Sequence, residues 1–379
     1  MFDSAPDSLC VLTVNPGSTS AKVTLFRGAD EVASYEISKK HQSGLEGAAL
    51  DREVDAYVDE IKQFMSKQCD LSLDAVVGRG GFVDRRTGPV SSGIYEVAIV
   101  TNGQVQLCKD IIRAVTENPE LDHASNLGIP IAARLAVEYS VPAFCVDPVV
   151  ADDFTAEARY SGYKPIQRKS TAHALSVKML GKMTADALGK SVTDTRMVVV
   201  HMGGGITVAA VKGGLMVDNN IALLGGGPFT PQRVGTLPMS ALIDLCFDSG
   251  MTKNEIKVEL TKRGGLTSYL GDADVLRITE RIEAGDTEAR SVLDAMSYQI
   301  AKEIGAMAVA AGAPLDALVF SGGLARSELF MDMLRVRISH LAPLHIFPGS
   351  VEMKAMARGA IDVLTGNESA IAYYLPRQR

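Results

Sequence analysis

The stretch LTVNPGSTSAKVTLF, Leu12–Phe26, decides how the rest of the chain is read. Two β-branched, mostly apolar runs, LCVLTV and AKVTLF, flank a polar turn, Asn15-Pro16-Gly17-Ser18-Thr19-Ser20. Pro16 and Gly17 punctuate the turn, and Asn, Ser and Thr supply local hydrogen bonds. A plain hairpin needs no more than one Gly or Asn. This turn instead gathers Asn15, Ser18, Thr19 and Ser20, with Lys22 just inside the second strand. Amides and hydroxyls beside one ammonium are the equipment for holding phosphate oxygens and a hydrated Mg²⁺. Taken by itself the stretch also reads as a polar surface hairpin, and a partner turn downstream favours the phosphate reading.

That partner is VVVHMGGGITVAAVKGGLMVDN, Val198–Asn219, which repeats the plan of LTVNPGSTSAKVTLFRGADEVASYEI: strand, phosphate-sized turn, strand, tight turn, strand. One repeat at so large a separation means a duplicated domain and not a solenoid. Around the first copy, Glu31–Ile37 reads as a strand, Arg52–Met65 as an amphipathic helix, Ala75–Val77 as a short buried strand, His123–Tyr139 as a helix and Ala143–Val146 as a strand. Around the second, Ser170–Leu188 reads as a helix before the strand Met197–Val200. Helices follow near Met239–Phe247, Lys253–Thr261 and Thr287–Ala311, then a strand at Ala317–Phe320, a strand at His345–Phe347 and a helix at Val351–Leu364. Strands ending in Gly, Arg or Asp place those residues at carboxyl edges, where open α/β sheets bind ligands.

Composition limits the alternatives. The 379 residues are 46% hydrophobic and 22% charged, which suits about two ordered domains. Net charge is −7 with no basic run, which argues against a nucleic-acid footprint. Five scattered cysteines without a CxxC pair fit a reducing cytosol better than a zinc site or a disulfide framework. The N-terminus is acidic and polar, and no apolar run approaches about 18 residues, so neither a signal peptide nor a membrane span is expected. GxGxxG and GxxxxGK[ST] are both absent, so any nucleotide site must be of another type.

In successive order, Asn15-Pro16-Gly17-Ser18-Thr19-Ser20-x-Lys22, Val77-Gly78-Arg79-Gly80-Gly81, His123-Ala124-Ser125-Asn126-Leu127-Gly128 and Asp147-Pro148-Val149-Val150 resemble motifs of the butyrate kinases. So do Arg168-Lys169-Ser170-x-x-His173-Ala174-Leu175, His201-x-Gly203-Gly204-Gly205, Gly227-Pro228-Phe229-x-Pro231-x-Arg233, Phe320-x-Gly322-Gly323 and Pro348-Gly349-x-x-Glu352-Met353. The chain is thus similar, nearly end to end, to the acetate and butyrate kinase branch of the actin, hexokinase and sugar-kinase superfamily. The resemblance implies an α/β fold of two duplicated actin-like (ribonuclease H-like) domains, each a mixed β-sheet flanked by helices, with an ATP cleft between them. The expected division is 1–150 plus the C-terminal helix 353–379 for the acyl substrate and phosphate, and 151–352 for the nucleotide. The implied reaction is reversible, Mg²⁺-dependent transfer of the ATP γ-phosphoryl to butyrate or a related short or branched carboxylate, giving an acyl phosphate and ADP. An acetate or propionate kinase, a non-catalytic nucleotide-binding regulator and a sugar kinase are the competing readings. A homodimer or larger homo-oligomer in the cytoplasm is implied as well. The chain departs from the usual butyrate kinase pattern where Leu224-Gly225-Gly226-Gly227 replaces an acidic Asp-Gly-Glu-Gly.

Roles follow from the motif match and from residue chemistry. Asn15 and Glu352 resemble the pair that holds Mg²⁺, and an amide with a carboxylate suits a hard cation that keeps several waters. Ser18, Ser20 and Lys22 are expected at the transferred phosphoryl or the metal's waters. Arg79 and Arg233 are lone arginines among Gly and Pro, where the backbone can approach a ligand, and each planar fork can hold a carboxylate or stabilise phosphoryl charge. His173 is expected to donate to the phosphoryl group and Asp147 to orient the substrate, the metal or an arginine. His123, Pro228 and Phe229 are expected near the acyl group. His201 with Gly203, Gly204 and Gly205 is expected to cradle the β- and γ-phosphates. Gly322 and Gly323, read as preceding a helix N-terminus, suit the α-phosphate or the nucleoside.

Overall fold

The computed structural model describes residues 6–375 except 18, 40, 43, 69–71, 86–87 and 118–122. The chain divides into two units: Met1–Ala151 with Val351–Arg379, and Asp152–Ser350.

In the first unit, β1 (Cys10–Pro16), β2 (Ala21–Arg27) and β3 (Asp30–Ile37) form an antiparallel meander. β4 (Ala75–Arg79) then runs parallel to β1, and β7 (Ala143–Val146) parallel to β4. The antiparallel pair β5 (Ile94–Thr101) and β6 (Gln104–Leu107) completes the seven-stranded order β3-β2-β1-β4-β7-β5-β6. The central strands are buried almost along their whole length, as strands covered on both faces must be. α1 (Gly47–Met65) buries Val54, Tyr57, Val58, Ile61, Phe64 and Met65, one stripe at helical spacing, and packs on α3 (Gly128–Tyr139). α11 (Glu352–Leu364) returns to this unit and packs against β1, β4 and β7.

The second unit repeats the plan. β8 (Arg196–Met202), β9 (Ile206–Lys212) and β10 (Leu215–Asn219) form the meander. β11 (Ala317–Gly322) and β12 (Leu344–Pro348) continue it in parallel, in the order β10-β9-β8-β11-β12. This is the order β3-β2-β1-β4-β7 of the first unit, so the duplication read from the two turns is a duplication of topology. Leu293, Met296, Ile300, Ile304 and Met307 of α9 (Thr287–Ala311) form the spine of the second core.

Some elements differ from the sequence reading. β5, β6 and α2 (Lys109–Thr116) occupy a region not assigned from sequence, and α7 (Gly265–Leu270) and α8 (Val275–Glu283) add two short helices. The helix expected from His123 opens with a 3₁₀ turn, Ala124–Leu127, ahead of α3. The helix expected from Ser170 begins only at Ala174, as α4 (Ala174–Ala187). Arg168 holds the preceding segment extended: its guanidinium donates to the Asp218 carboxylate at 2.8 Å and to the Asn219 carbonyl at 3.0 Å. The Ser170 hydroxyl also accepts from Asn219 Nδ2 at 2.9 Å.

Candidate active site

Three element ends meet in the first unit. Asn15 stands near the end of β1, Arg79 is the last residue of β4, and Glu352 is the first residue of α11. Asn15 Nδ2 donates to Glu352 Oε2 at 2.9 Å, and Arg79 Nη2 donates to Glu352 Oε1 at 3.3 Å. A carboxylate in the first turn of a helix is favoured by the helix dipole, and here it also fixes two side chains. Arg79 is only 4% exposed, yet its Nη1 is buried and has no hydrogen-bond partner among the described residues. Burying a charged donor without a partner is costly, so half of this fork carries an unmet hydrogen-bonding capacity. Cys145 lies close enough to feel the Arg79 charge, but burial pushes its thiol up to about 12, so it is no thiolate nucleophile.

The other first-unit candidates are held by their neighbours. Asp147 adopts a left-handed backbone, φ 40°, and its Oδ1 accepts from the Gly93 N–H at 2.8 Å, while its own N–H donates to the Gly93 carbonyl at 2.9 Å. That carboxylate ties the turn after β7 to the residue that precedes β5. His123 Nδ1 lies 2.8 Å from Ser125 Oγ, and its ring is tilted against Phe82 at 5.4 Å between centroids. Ser20 Oγ donates to Glu36 Oε1 at 2.6 Å. Lys22 is exposed on β2, with Asn15 on one side and Glu36 on the other in the strand register. Ser18 lies outside the described residues.

In the second unit the glycine turn follows β8 directly. His201 lies inside the strand, and its Nδ1 is 2.9 Å from Ser321 Oγ on β11. His173 is the residue before α4, and its Nδ1 is 2.8 Å from Thr207 Oγ1 on β9. The two imidazole centroids are 4.6 Å apart. Two hydroxyls thus set the orientation of two histidine rings tilted by 41° against each other, and sequence reasoning singled out neither Thr207 nor Ser321. Each is a buried hydroxyl on a strand that flanks the glycine turn, which is the signal by which they could have been found.

The loop carrying Arg233 is tied to the same turn. Thr230 Oγ1 donates to the Gly204 carbonyl at 2.8 Å and accepts from the Arg233 N–H at 3.0 Å. The Arg233 guanidinium donates to the Ala222 carbonyl at 2.7 Å and lies over Gly205, where a Cβ would come within 2.5 Å of Nη1. Burial lowers the Arg233 pKa from its ordinary value, as expected for a charge taken out of water. Gly203, Gly204 and Gly205 thus leave a surface without side chains, with Arg233 seated against it.

Two placements add to the sequence reading. Phe229, expected near the acyl group, is buried in the second core and packs against Tyr269 at 5.9 Å between ring centroids. Gly322 and Gly323 do not lead straight into an α-helix. A short 3₁₀ turn, Leu324–Arg326, intervenes, and α10 (Glu328–Ile338) starts beyond it, capped by Ser327 Oγ, which accepts from the Phe330 N–H. Gly322 itself has φ 94°, and a Cβ there would lie 2.2 Å from the Met202 carbonyl oxygen, so it is needed for the close approach of β11 to the end of β8.

Comparison with known proteins identifies the family. The acetokinase family model matches residues 151–373. A probable butyrate kinase of Listeria monocytogenes serotype 4b is 39% identical over 97% of this chain and 100% of its own length. Butyrate kinase 2 of Clostridium acetobutylicum is 36% identical over 96% of this chain and 99% of its own length. The crystal structure of Porphyromonas gingivalis acetate kinase shares the fold, with a TM-score of 0.72 over 94% of this chain and 100% of that one, at 18% identity. On the family model and the full-length relatives, the chain belongs to the acetokinase family.

Proposed function

We propose that this chain phosphorylates butyrate, or a closely related short or branched-chain carboxylate, using ATP. A carboxylate oxygen attacks the γ-phosphorus, the bond to the β-bridging oxygen breaks, and the acyl phosphate and ADP leave. The reverse direction makes ATP from the acyl phosphate. A carboxylate phosphotransferase is what family membership and the butyrate kinase relatives support. The observation that carries the site is the buried, half-paired Arg79 fork held by Glu352.

Phosphoryl transfer asks the protein for positioning and charge neutralisation, with little covalent work. Arg79 would take the carboxylate or the equatorial phosphoryl oxygens on its free Nη1 side. Arg233 would neutralise developing charge from its seat over Gly205. His173 would donate to the transferred group, with its ring orientation set by Thr207. Gly203, Gly204, Gly205 and His201 would receive the β- and γ-phosphates, and Gly322 and Gly323 the remainder of the nucleotide. Ser18, Ser20 and Lys22 would serve the phosphoryl side, and His123 and Pro228 the acyl side. Asp147 acts by holding the turn beside Arg79. The first unit would therefore serve acyl and phosphoryl groups and the second the nucleotide.

Asn15 and Glu352 fit Mg²⁺ by donor type. A hard cation of this kind keeps several waters and is held chiefly by substrate phosphates with one or two protein oxygens. When bound, Mg²⁺ supplies charge neutralisation for the phosphates. A cytoplasmic enzyme forming a homodimer or larger homo-oligomer completes the reading.

The test is hydroxylamine trapping with MgATP and a series of acids from acetate to isovalerate. Hydroxamate formation peaking at butyrate or a branched acid supports the proposal. A peak at acetate reassigns the substrate within the same chemistry. No hydroxamate with any acid, despite ATP binding, overturns it.

A further inference from the structure

The segment that follows α11 returns across the first unit and is fastened to it at three points. Ile371 bridges Tyr95 of β5: its N–H donates to the Ile94 carbonyl at 2.7 Å, and its carbonyl accepts from the Glu96 N–H at 3.0 Å. Tyr373 is buried, its ring meets Tyr95 edge-on at 6.3 Å between centroids, and its hydroxyl donates to the Asp84 carbonyl at 2.6 Å. The Leu375 N–H donates to the Asp110 carboxylate, in the first turn of α2, at 3.2 Å. A buried tyrosine needs an acceptor for its hydroxyl, and here a loop carbonyl 289 residues away supplies it.

Two of these fastenings bear on the stretch that leaves Arg79. Arg79 ends β4, and residues 80–84 follow without regular structure. Contacts with side chains hold them in place of a ladder. The Phe82 N–H donates to Asn126 Oδ1 at 2.7 Å, the Phe82 ring lies against His123 at 5.4 Å, and Tyr373 holds Asp84, which is only 1% exposed. Farther along, Gly93 exchanges two hydrogen bonds with Asp147, and a Cβ on it would lie 2.6 Å from Ile371 Cδ1. The tail thus presses on both ends of the connection from β4 to β5. We propose that Tyr373 is a positioning residue: its hydroxyl holds residues 80–84, and with them the Phe82–His123 contact, in place beside the Arg79 fork. The role rests on Arg79 and His123 serving the carboxylate, as proposed for the site. Tyr373 acts through the loop alone, so its loss should be felt on the acid side of the reaction and not on the nucleotide side.

The test compares Tyr373→Phe, which keeps the ring and removes the hydroxyl, with Tyr374→Phe at the neighbouring ring, which is 74% exposed. Amide hydrogen exchange on the full chain reads the tie without any catalysis. Peptides covering 80–84 should exchange about 5–10-fold faster in Tyr373→Phe, the effect of losing one buried hydrogen bond, while peptides from α1 and β1 keep their wild-type rates. In the hydroxamate assay with butyrate, the KM for the acid should rise by about 5–10-fold, and the KM for MgATP should stay within about two-fold of wild type. Tyr374→Phe should match wild type in every reading. A general loosening of the fold would instead speed exchange throughout the first unit and shift both KM values, and would overturn the proposal. Unchanged exchange at 80–84 would overturn it too, as would faster exchange with an unchanged KM for the acid, which makes Tyr373 a structural residue only. Failure of the underlying reading looks different: the wild type forms no hydroxamate with any acid while the exchange difference at 80–84 persists, which removes the role and leaves the tie.

Discussion

Asn15 and Glu352 stand 337 residues apart in the chain and are joined by a 2.9 Å hydrogen bond. The bond ties the end of β1 to the first turn of α11, so the C-terminal helix is joined to the first unit through a polar contact as well as through its core. Because the bond uses Asn15 Nδ2, Asn15 Oδ1 keeps no protein partner among the described residues. Asn15→Ala and Glu352→Gln are therefore expected to raise the Mg²⁺ concentration needed for half-maximal activity, by roughly 10–100-fold, the usual effect of disturbing a metal's outer partners. Titrating activity against free Mg²⁺ at saturating ATP checks this. An unchanged Mg²⁺ requirement in both variants would remove the pair from the metal site.

Arg79 is the sharper case. Its replacement by alanine removes the fork and leaves Glu352 without one of its partners, so kcat/KM should fall by about 10³-fold or more. Arg79→Lys keeps a charge but loses the second N–H direction, and should recover only a small part of the rate. If lysine restores full activity, the buried Nη1 has no function in recognition.

Two glycines separate a local effect on the site from an effect on the fold. At Gly205 a methyl group would meet the end of the Arg233 side chain at 2.5 Å, and that flexible end can move aside. At Gly322 it would meet backbone, the Met202 carbonyl oxygen at 2.2 Å, from a residue with φ 94°. Gly205→Ala should cut kcat by about 10²-fold or more with little change in melting temperature, because Arg233 is displaced. Gly322→Ala should lower stability by about 2–3 kcal/mol or more, read by denaturant unfolding. Equal melting losses in both would mean that the Gly205–Arg233 contact is structural only.

The duplicated plan was legible because both copies pair a β-branched strand with a polar or glycine turn, and each pairing is local. The strands β5 and β6 were not assigned. β5 shifts register between Glu96 and Ala98, which breaks the two-residue alternation by which a strand is read. α7 has six residues, fewer than two turns, and carries no usable periodicity. Within the site, motifs named residue types but not who holds them. That Glu352 clamps both Asn15 and Arg79, or that Thr207 and Ser321 orient the two histidines, depends on strand order, which sets β1 beside β4 in the first sheet and β8 between β9 and β11 in the second. The packing of Phe229 was not legible for a similar reason. Its motif position adjoins Arg233, but whether the ring faces a substrate or a core is decided by α7 and its Tyr269.

Glu303 on α9 provides a stability prediction with a defined sign. Burial pushes its carboxyl above the ordinary value of 4.5, with Asp218 adding in the same direction and Arg168 and Lys302 pulling back. The fold therefore favours the protonated form. Its contribution to stability is present below the ordinary value and is lost as pH rises through the raised one. At pH 7 the carboxylate is a net burden, and Glu303→Gln, which keeps the shape without the charge, should raise the melting temperature. The advantage should shrink as pH falls and vanish below about pH 4, where the wild-type group is protonated in both states. Thermal melts of the two proteins between pH 4 and 8 test the sign directly. A glutamine variant less stable than wild type at pH 7 would show that attraction from Arg168 and Lys302 outweighs desolvation at this position.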